Sequence, residues 1–213
     1  QAWGLQYTTA VNSSFITTLY IIFVPLLRVF WGHEKFTVKY LFCVALALIG
    51  TALMVNVSQM TTPNFGDLLT LACSVLAALH IIMVGNIANK TKSDFAFNTM
   101  QSLWIAVFSC AYVVIAGADE LAKWNLLNLD FNGWIGMLAM TFGASLIAFY
   151  LQIKAQKKIP PSTASLLFLL ESPVACVFSF LLLHEVILQN QYIGAGFIII
   201  AGVLVSKLNR ITE

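Results

Sequence analysis

The stretch SFITTLYIIFVPLLRVFWGHE (Ser14–Glu34) is echoed about 151 residues later by SLLFLLESPVACVFSFLLLHE (Ser165–Glu185), and the relation between the two copies decides the fold. In the first copy a hydroxyl-rich opening (Ser13, Ser14, Thr17, Thr18) leads into an apolar helix carrying Pro25. An exit glutamate, Glu34, and a second apolar helix holding Gly50 follow. In the second copy the same parts run Thr163, Ser165, Pro173, Glu185 and Gly202. Ser14/Ser165 and Glu34/Glu185 keep one offset, Gly50/Gly202 slips by one, and the prolines disagree by about three.

Composition places both copies in a membrane. The 213 residues are 60% apolar and 9% charged, with a mean hydropathy of +0.87, whereas a soluble domain carries roughly 25% charge. A water-soluble domain is excluded. Apolar runs of roughly 18–22 residues, enough for a ~30 Å hydrocarbon core, read as 13–31, 38–57, 66–87, 96–117, 133–152, 163–183 and 190–206. The expected fold class is all-α: a multi-pass helical bundle with about seven spans.

The basic residues set the orientation. Arg28, Lys35 and Lys39, then Lys90 and Lys92, then Lys154, Lys157 and Lys158, and finally Lys207 and Arg210 fall on one side of such a bundle. The opposite loops, 58–66, 118–132 and 184–190, hold only Lys123 beside Asp119, Glu120 and Asp130. With ten of the eleven Lys and Arg on one face, that face is expected in the cytoplasm, with the C-terminus inside and the N-terminus outside. Glu34 then turns in the cytoplasm and Glu185 outside, so the repeat is inverted, an architecture typical of secondary transporters.

Gln1 is not methionine, Ala2–Thr9 reads as the last turns of a helix, and no basic n-region with a cleavage site is visible. An N-terminal truncation is expected, with about three more helices needed to complete an inverted pair. Cys43, Cys73, Cys110 and Cys176 stand apart, each in a different run, without metal-ligand spacing. Small packing residues is their plain reading. No H-E-x-x-H spacing and no glycine-rich phosphate loop occurs, so neither metal nor other cofactor is expected. Nor is a nucleic-acid partner.

Several segments carry a family resemblance: Gly66-Asp-Leu-Leu-Thr-Leu with Ala78-Leu-His-Ile; Ala148–Lys157; Leu169-Leu-Glu-Ser-Pro-Val174 with Leu181–Glu185; Ile193-Gly-Ala-Gly; and Ala201-Gly-Val-Leu. Together they resemble the EamA-type drug/metabolite transporters over essentially the whole chain. The resemblance implies ten helices in two inverted five-helix repeats that export small metabolites or drugs from the cytoplasm. It also implies that residues 1–9 end a third helix, that residues 1–57 are the remainder of the first repeat, and that 66–208 are the second. Two positions depart from the pattern: Ser172 interrupts the usual Glu-Pro pair, and His184 replaces the glycine usual before the exit Glu.

Intramembrane polarity selects the substrate-binding candidates. Glu171 lies about a third of the way along its run, where an acid costs on the order of 2.5–3.5 kcal/mol. Helical spacing groups it with Ala164, Phe168 and Ala175 near the hydroxyl of Ser165. It reads either as a proton-titrating or ammonium-binding carboxylate, or as a cap for backbone groups that Pro173 frees about a turn earlier. His80, in line with Cys73, Ala77 and Val84, is either a hydrogen-bonded packing residue or a proton carrier. Gln101 aligns with Asn98, Ile105 and Ser109, and Gln152 with Ser145, Phe149 and Gln156; such stripes suit a wet cavity or interhelical hydrogen bonds. Tyr20, Trp104 and Tyr150 are aromatic candidates for a pocket or for packing.

Every basic residue lies at a run end or in a loop, which disfavours phosphate or dicarboxylate substrates. Arg28 can snorkel to the headgroups without any further role. Neutral, zwitterionic or cationic metabolites fit better, with proton coupling through Glu171. A rival class, an intramembrane serine hydrolase, would use Ser145 of Gly143-Ala-Ser with a histidine, but Gly-Ala-Ser is also ordinary helix packing and the inverted repeat has no place in that reading. A membrane fragment without activity is the third possibility. The expected protein is a multi-pass transporter of a bacterial inner membrane, with the lipid bilayer and a small-molecule substrate as its partners.

Overall fold

Every regular element among the described residues is helical, as a chain in hydrocarbon requires when backbone groups can be satisfied only within a segment. The computed structural model describes residues 3–34, 37–56, 58, 60, 62–117, 130–184 and 186–211. Lys35, Gln59, Asp119, Glu120, Lys123, Glu185 and Glu213, which carry parts of the loop-charge and repeat readings, lie outside the described residues.

After a short 3₁₀ turn, Gly4–Gln6, the helices are α1 (Ala10–Thr18), α2 (Tyr20–Phe30), α3 (Val38–Val55), α4 (Phe65–Ala88) and α5 (Asp94–Tyr112). They continue with α6 (Phe131–Leu138), α7 (Phe149–Gln156), α8 (Pro161–Phe168), α9 (Glu171–Leu183) and α10 (Gln189–Ile211). Wider π-type winding extends α5 over Val113–Gly117 and joins α6 to α7 over Ala139–Ala148. Among the described residues, seven helices are long and apolar enough to cross a membrane: Ala10–Phe30, Val38–Val55, Phe65–Ala88, Asp94–Ile115, Gly133–Gln156, Pro161–Leu182 and Gln189–Leu208.

Local chemistry sets the ends. The Thr9 side chain accepts from Asn12 N at 3.1 Å, so α1 begins three residues ahead of the apolar run. Ser93 caps α5 through Ala96 N (3.2 Å) and Asp130 caps α6 through Gly133 N (2.8 Å). Pro161 opens α8, where its missing N–H costs nothing. Asn64 and Asp67 form a reciprocal box at the start of α4: Asp67 N donates to Asn64 Oδ1 at 3.1 Å and Asn64 N to Asp67 Oδ2 at 3.0 Å.

The chain divides into two compact units, Gln1–Met83 with Ile159–Glu213, and Val84–Lys158. In the first unit Ile21, Cys43, Ala47, Leu166, Leu169, Ile198 and Ala201 form the main buried cluster. Helices α3 and α10 meet with their backbones nearly in contact, because Gly50 and Gly194 carry no Cβ; a Cβ on Gly50 would lie 2.7 Å from the Gly194 carbonyl oxygen. Asn190 Nδ2 adds a bond to the Leu53 carbonyl at 3.0 Å. In the second unit Val84, Ala88 and Ile153 are buried with Phe97 against them. There Asn98 Nδ2 bonds the carbonyls of Leu146 (3.0 Å) and Ser145 (3.4 Å), and Lys157 pairs with Asp94.

Candidate functional site

Two of the spans are broken. The first parts at Leu19, between α1 and α2, and the other at Leu169 and Leu170, between α8 and α9. Leu19 (φ −61°, ψ −11°) and Leu170 (φ −61°, ψ −16°) hold nearly the same 3₁₀-like conformation, and they stand at the offset that relates Ser14 to Ser165. The breaks therefore coincide where the prolines do not. In the second copy Pro173 has no N–H to offer Leu169, whose carbonyl accepts instead from Ser172 N at 3.0 Å. In the first copy Pro25 is too far along to cause the break. There the hydroxyls of Thr17 and Thr18 turn back onto the carbonyls of Ser13 and Phe15, both at 2.7 Å, and Ser74 Oγ of α4 donates to the Thr17 carbonyl at 3.0 Å. Such back-bonding competes with the helical ladder and bends it.

Tyr20 and Glu171 are the first residues after the two breaks. Tyr20 and Phe168 pack on one buried cluster, Val24, Ala78, Ile81 and Ile82, which joins α2 to α4. The Glu171 side chain is exposed on this chain. Ser165 is completely buried and its hydroxyl donates to the Ser162 carbonyl at 2.8 Å, within its own helix. His80 is exposed, whereas its α4 neighbours Ala78, Ile81 and Ile82 face inward. The first unit thus packs Tyr20 and Phe168 on one cluster, places Glu171 at the start of the next helix segment, leaves Ser165 in the core and turns His80 outward.

The family model for EamA-like transporters matches residues 1–56 and 64–207. The chain belongs to the EamA-like transporter family. An uncharacterized transporter of Archaeoglobus fulgidus is 28% identical over 97% of this chain and 63% of its own length. The uncharacterized transporter YetK of Bacillus subtilis is 26% identical over 98% and 63%. The chain thus spans a little under two thirds of the length of these curated relatives. A protein crystal structure with a TM-score of 0.79 shares the fold at 14% identity, covering 97% of this chain and 71% of that one.

In this EamA-like chain the second unit carries Gln101, Tyr150 and Gln152, all half-buried. The stripe that contains Gln101 also contains Asn98, whose amide holds two backbone carbonyls of the α6–α7 rod. That part of the stripe serves interhelical bonding. Tyr150 lies under Lys154, with Nζ 5.9 Å from the ring centroid. Ser145 Oγ donates to the Met140 carbonyl at 3.2 Å, a bond within its own rod, and nothing favours a nucleophile there.

Two polar clusters close the ends of the α1–α2 rod. At its start Asn12, fully buried, donates through Nδ2 to both Asp67 oxygens at 3.1 Å, and Thr8 Oγ1 donates to the same carboxylate. Beyond its other end Glu34 accepts from Arg28 Nε at 2.9 Å and from Ser162 Oγ, while Tyr40 donates to the Ser162 carbonyl at 2.8 Å. Arg28, expected to snorkel, is therefore engaged with Glu34. Nothing local marks the Asp67 cluster in the sequence, because its partners Thr8 and Asn12 stand more than fifty residues away.

Proposed function

We propose that the intact protein is a secondary active transporter, exporting small neutral, zwitterionic or cationic metabolites or drugs by alternating access. The observation that carries this reading is the pair of matching helix breaks with Tyr20 and Glu171 immediately after them. Broken helices that expose polar groups part-way across the membrane are the usual construction of a transporter binding site. Glu171 is the mid-span acid; it binds a substrate ammonium or carries a proton. Phe168 and Tyr20 supply apolar and aromatic surface in the same unit, and Gln101, Tyr150 and Gln152 of the second unit are substrate-binding candidates in their own right. Residues 1–57 and 66–208 act as parts of two inverted repeats, in the inner membrane of a bacterial cell with the C-terminus in the cytoplasm. The loop-charge bias supports that orientation.

The deciding experiment is uptake into proteoliposomes of the intact protein, with and without a pH gradient, over amino acids and cationic drugs. Glu171→Gln is expected to abolish the pH dependence while the protein still inserts. Fully pH-dependent transport by a normally stable Glu171→Gln protein removes the acid from the mechanism. Labelling of single cysteines placed at Ser58 and Gln189 is expected only from outside; inside labelling at either sinks the inverted topology.

A further inference from the structure

The crossing of α3 and α10 is shut at one end and open at the other. Gly50 and Gly194 let the backbones touch. The pair related to them by the repeat offset is Ala201 and Cys43, which are buried at 0% and 1% exposure and, unlike the glycines, both carry a side chain. Beyond that pair, toward the start of α3 and the end of α10, lies a groove of about 430 Å³ walled by Val38, Phe42, Cys43, Leu204 and Leu208. Among the described residues, its polar side chains are Lys39 and Lys207, one from each helix. Both are exposed.

We propose that this groove holds one anionic diacyl phospholipid. An acyl chain lies along the apolar walls and the headgroup phosphate sits between the two ammonium groups. The inference rests on this helix crossing and does not depend on the transport reading. Three features of the groove select that ligand. Its volume falls in the range of sites that enclose a small-molecule ligand, and its walls are apolar, so a soluble phosphate would leave them bare. Two cations without an acid in the lining match a net negative headgroup rather than a zwitterionic one. A second copy docked here by two-fold symmetry would bring the lysines of both copies together, a like-charge contact that opposes the pairing. The loop-charge orientation puts this end at the cytoplasmic leaflet, the one with the negative surface.

The test is native mass spectrometry of the intact protein released from detergent, titrated separately with phosphatidylglycerol, phosphatidylcholine and inorganic phosphate. One phosphatidylglycerol is expected to stay bound, with retention falling as salt rises. Lys39→Gln with Lys207→Gln is expected to weaken it roughly 30-fold, from two surface lysines acting on one phosphate. Lys39→Arg with Lys207→Arg should restore it, and Leu208→Trp should displace it with both charges in place. The salt series uses the unaltered protein, so the outcome does not hang on any variant folding. Equal retention of phosphatidylcholine, indifference to both Gln substitutions, displacement by inorganic phosphate, or a dimer that the Gln pair fails to weaken overturns the proposal.

Discussion

Tyr20 and Glu171 stand at the same place in two helices, each the first residue after a break and related by the offset that relates Ser14 to Ser165. A helix interruption in hydrocarbon leaves carbonyl and amide groups that a substrate, a side chain or water has to satisfy. Here threonine hydroxyls and Ser74 serve the first break, and Ser172 N serves the second. On the proposed reading, the acid and the phenol that follow the breaks serve the substrate.

A shared substrate would make the two residues energetically dependent. In a transport assay the effects of Tyr20→Phe and Glu171→Gln should fail to add, with an interaction of about 0.5–3 kcal/mol in the rate. Strict additivity across the double-mutant cycle would show that they do not share a site.

His184 ends α9 at φ 54°, in the left-handed region that favours glycine. A Cβ in that conformation costs roughly 1–2 kcal/mol. His184→Gly is therefore expected to stabilise the detergent-solubilised protein by about 1 kcal/mol, read as a rise in thermal midpoint. An unchanged or lower midpoint shows that the imidazole is engaged there.

Gly50 and Gly194 are the tightest point between α3 and α10. Gly50→Ala would drive a methyl to 2.7 Å from the Gly194 carbonyl oxygen and 2.9 Å from Ile198 Cγ1, an overpacking cost of about 1–3 kcal/mol. Gly196→Ala, on the same helix but with nothing within 4 Å, should instead gain roughly 0.5–1 kcal/mol. Thermal melts of the two variants should move in opposite directions, and a common direction would mean that helix propensity rather than contact dominates.

Glu34 links α2 to α8 through Arg28 and Ser162, with its side chain 22% exposed. Glu34→Gln should cost about 2 kcal/mol, since two bonds to a charged acceptor weaken together. Ser162→Ala should cost less, because the Arg28 bond survives. If the two substitutions prove equally mild, the cluster is a solvated surface contact of the kind worth under about 1 kcal/mol.

Length and hydropathy alone determined the helical class, the seven spans and most of their ends, because a bilayer demands one apolar run per crossing and the caps Thr9, Ser93, Asn64 and Asp130 act on neighbours three residues away. Loop charge gave an orientation by the same local logic. Glu171 stands out in the sequence as an acid in an apolar run. The tertiary structure decided what depends on partners far along the chain: that the first break falls at Leu19 and not at Pro25, that Gly50 meets Gly194, that Arg28 and Ser162 share Glu34, that Ser165 is buried while His80 is turned outward. Within the membrane both the lipid-facing and the protein-facing sides of a helix are apolar, so no periodic pattern marks which residues will meet. Only the packing of one helix on another supplies that information.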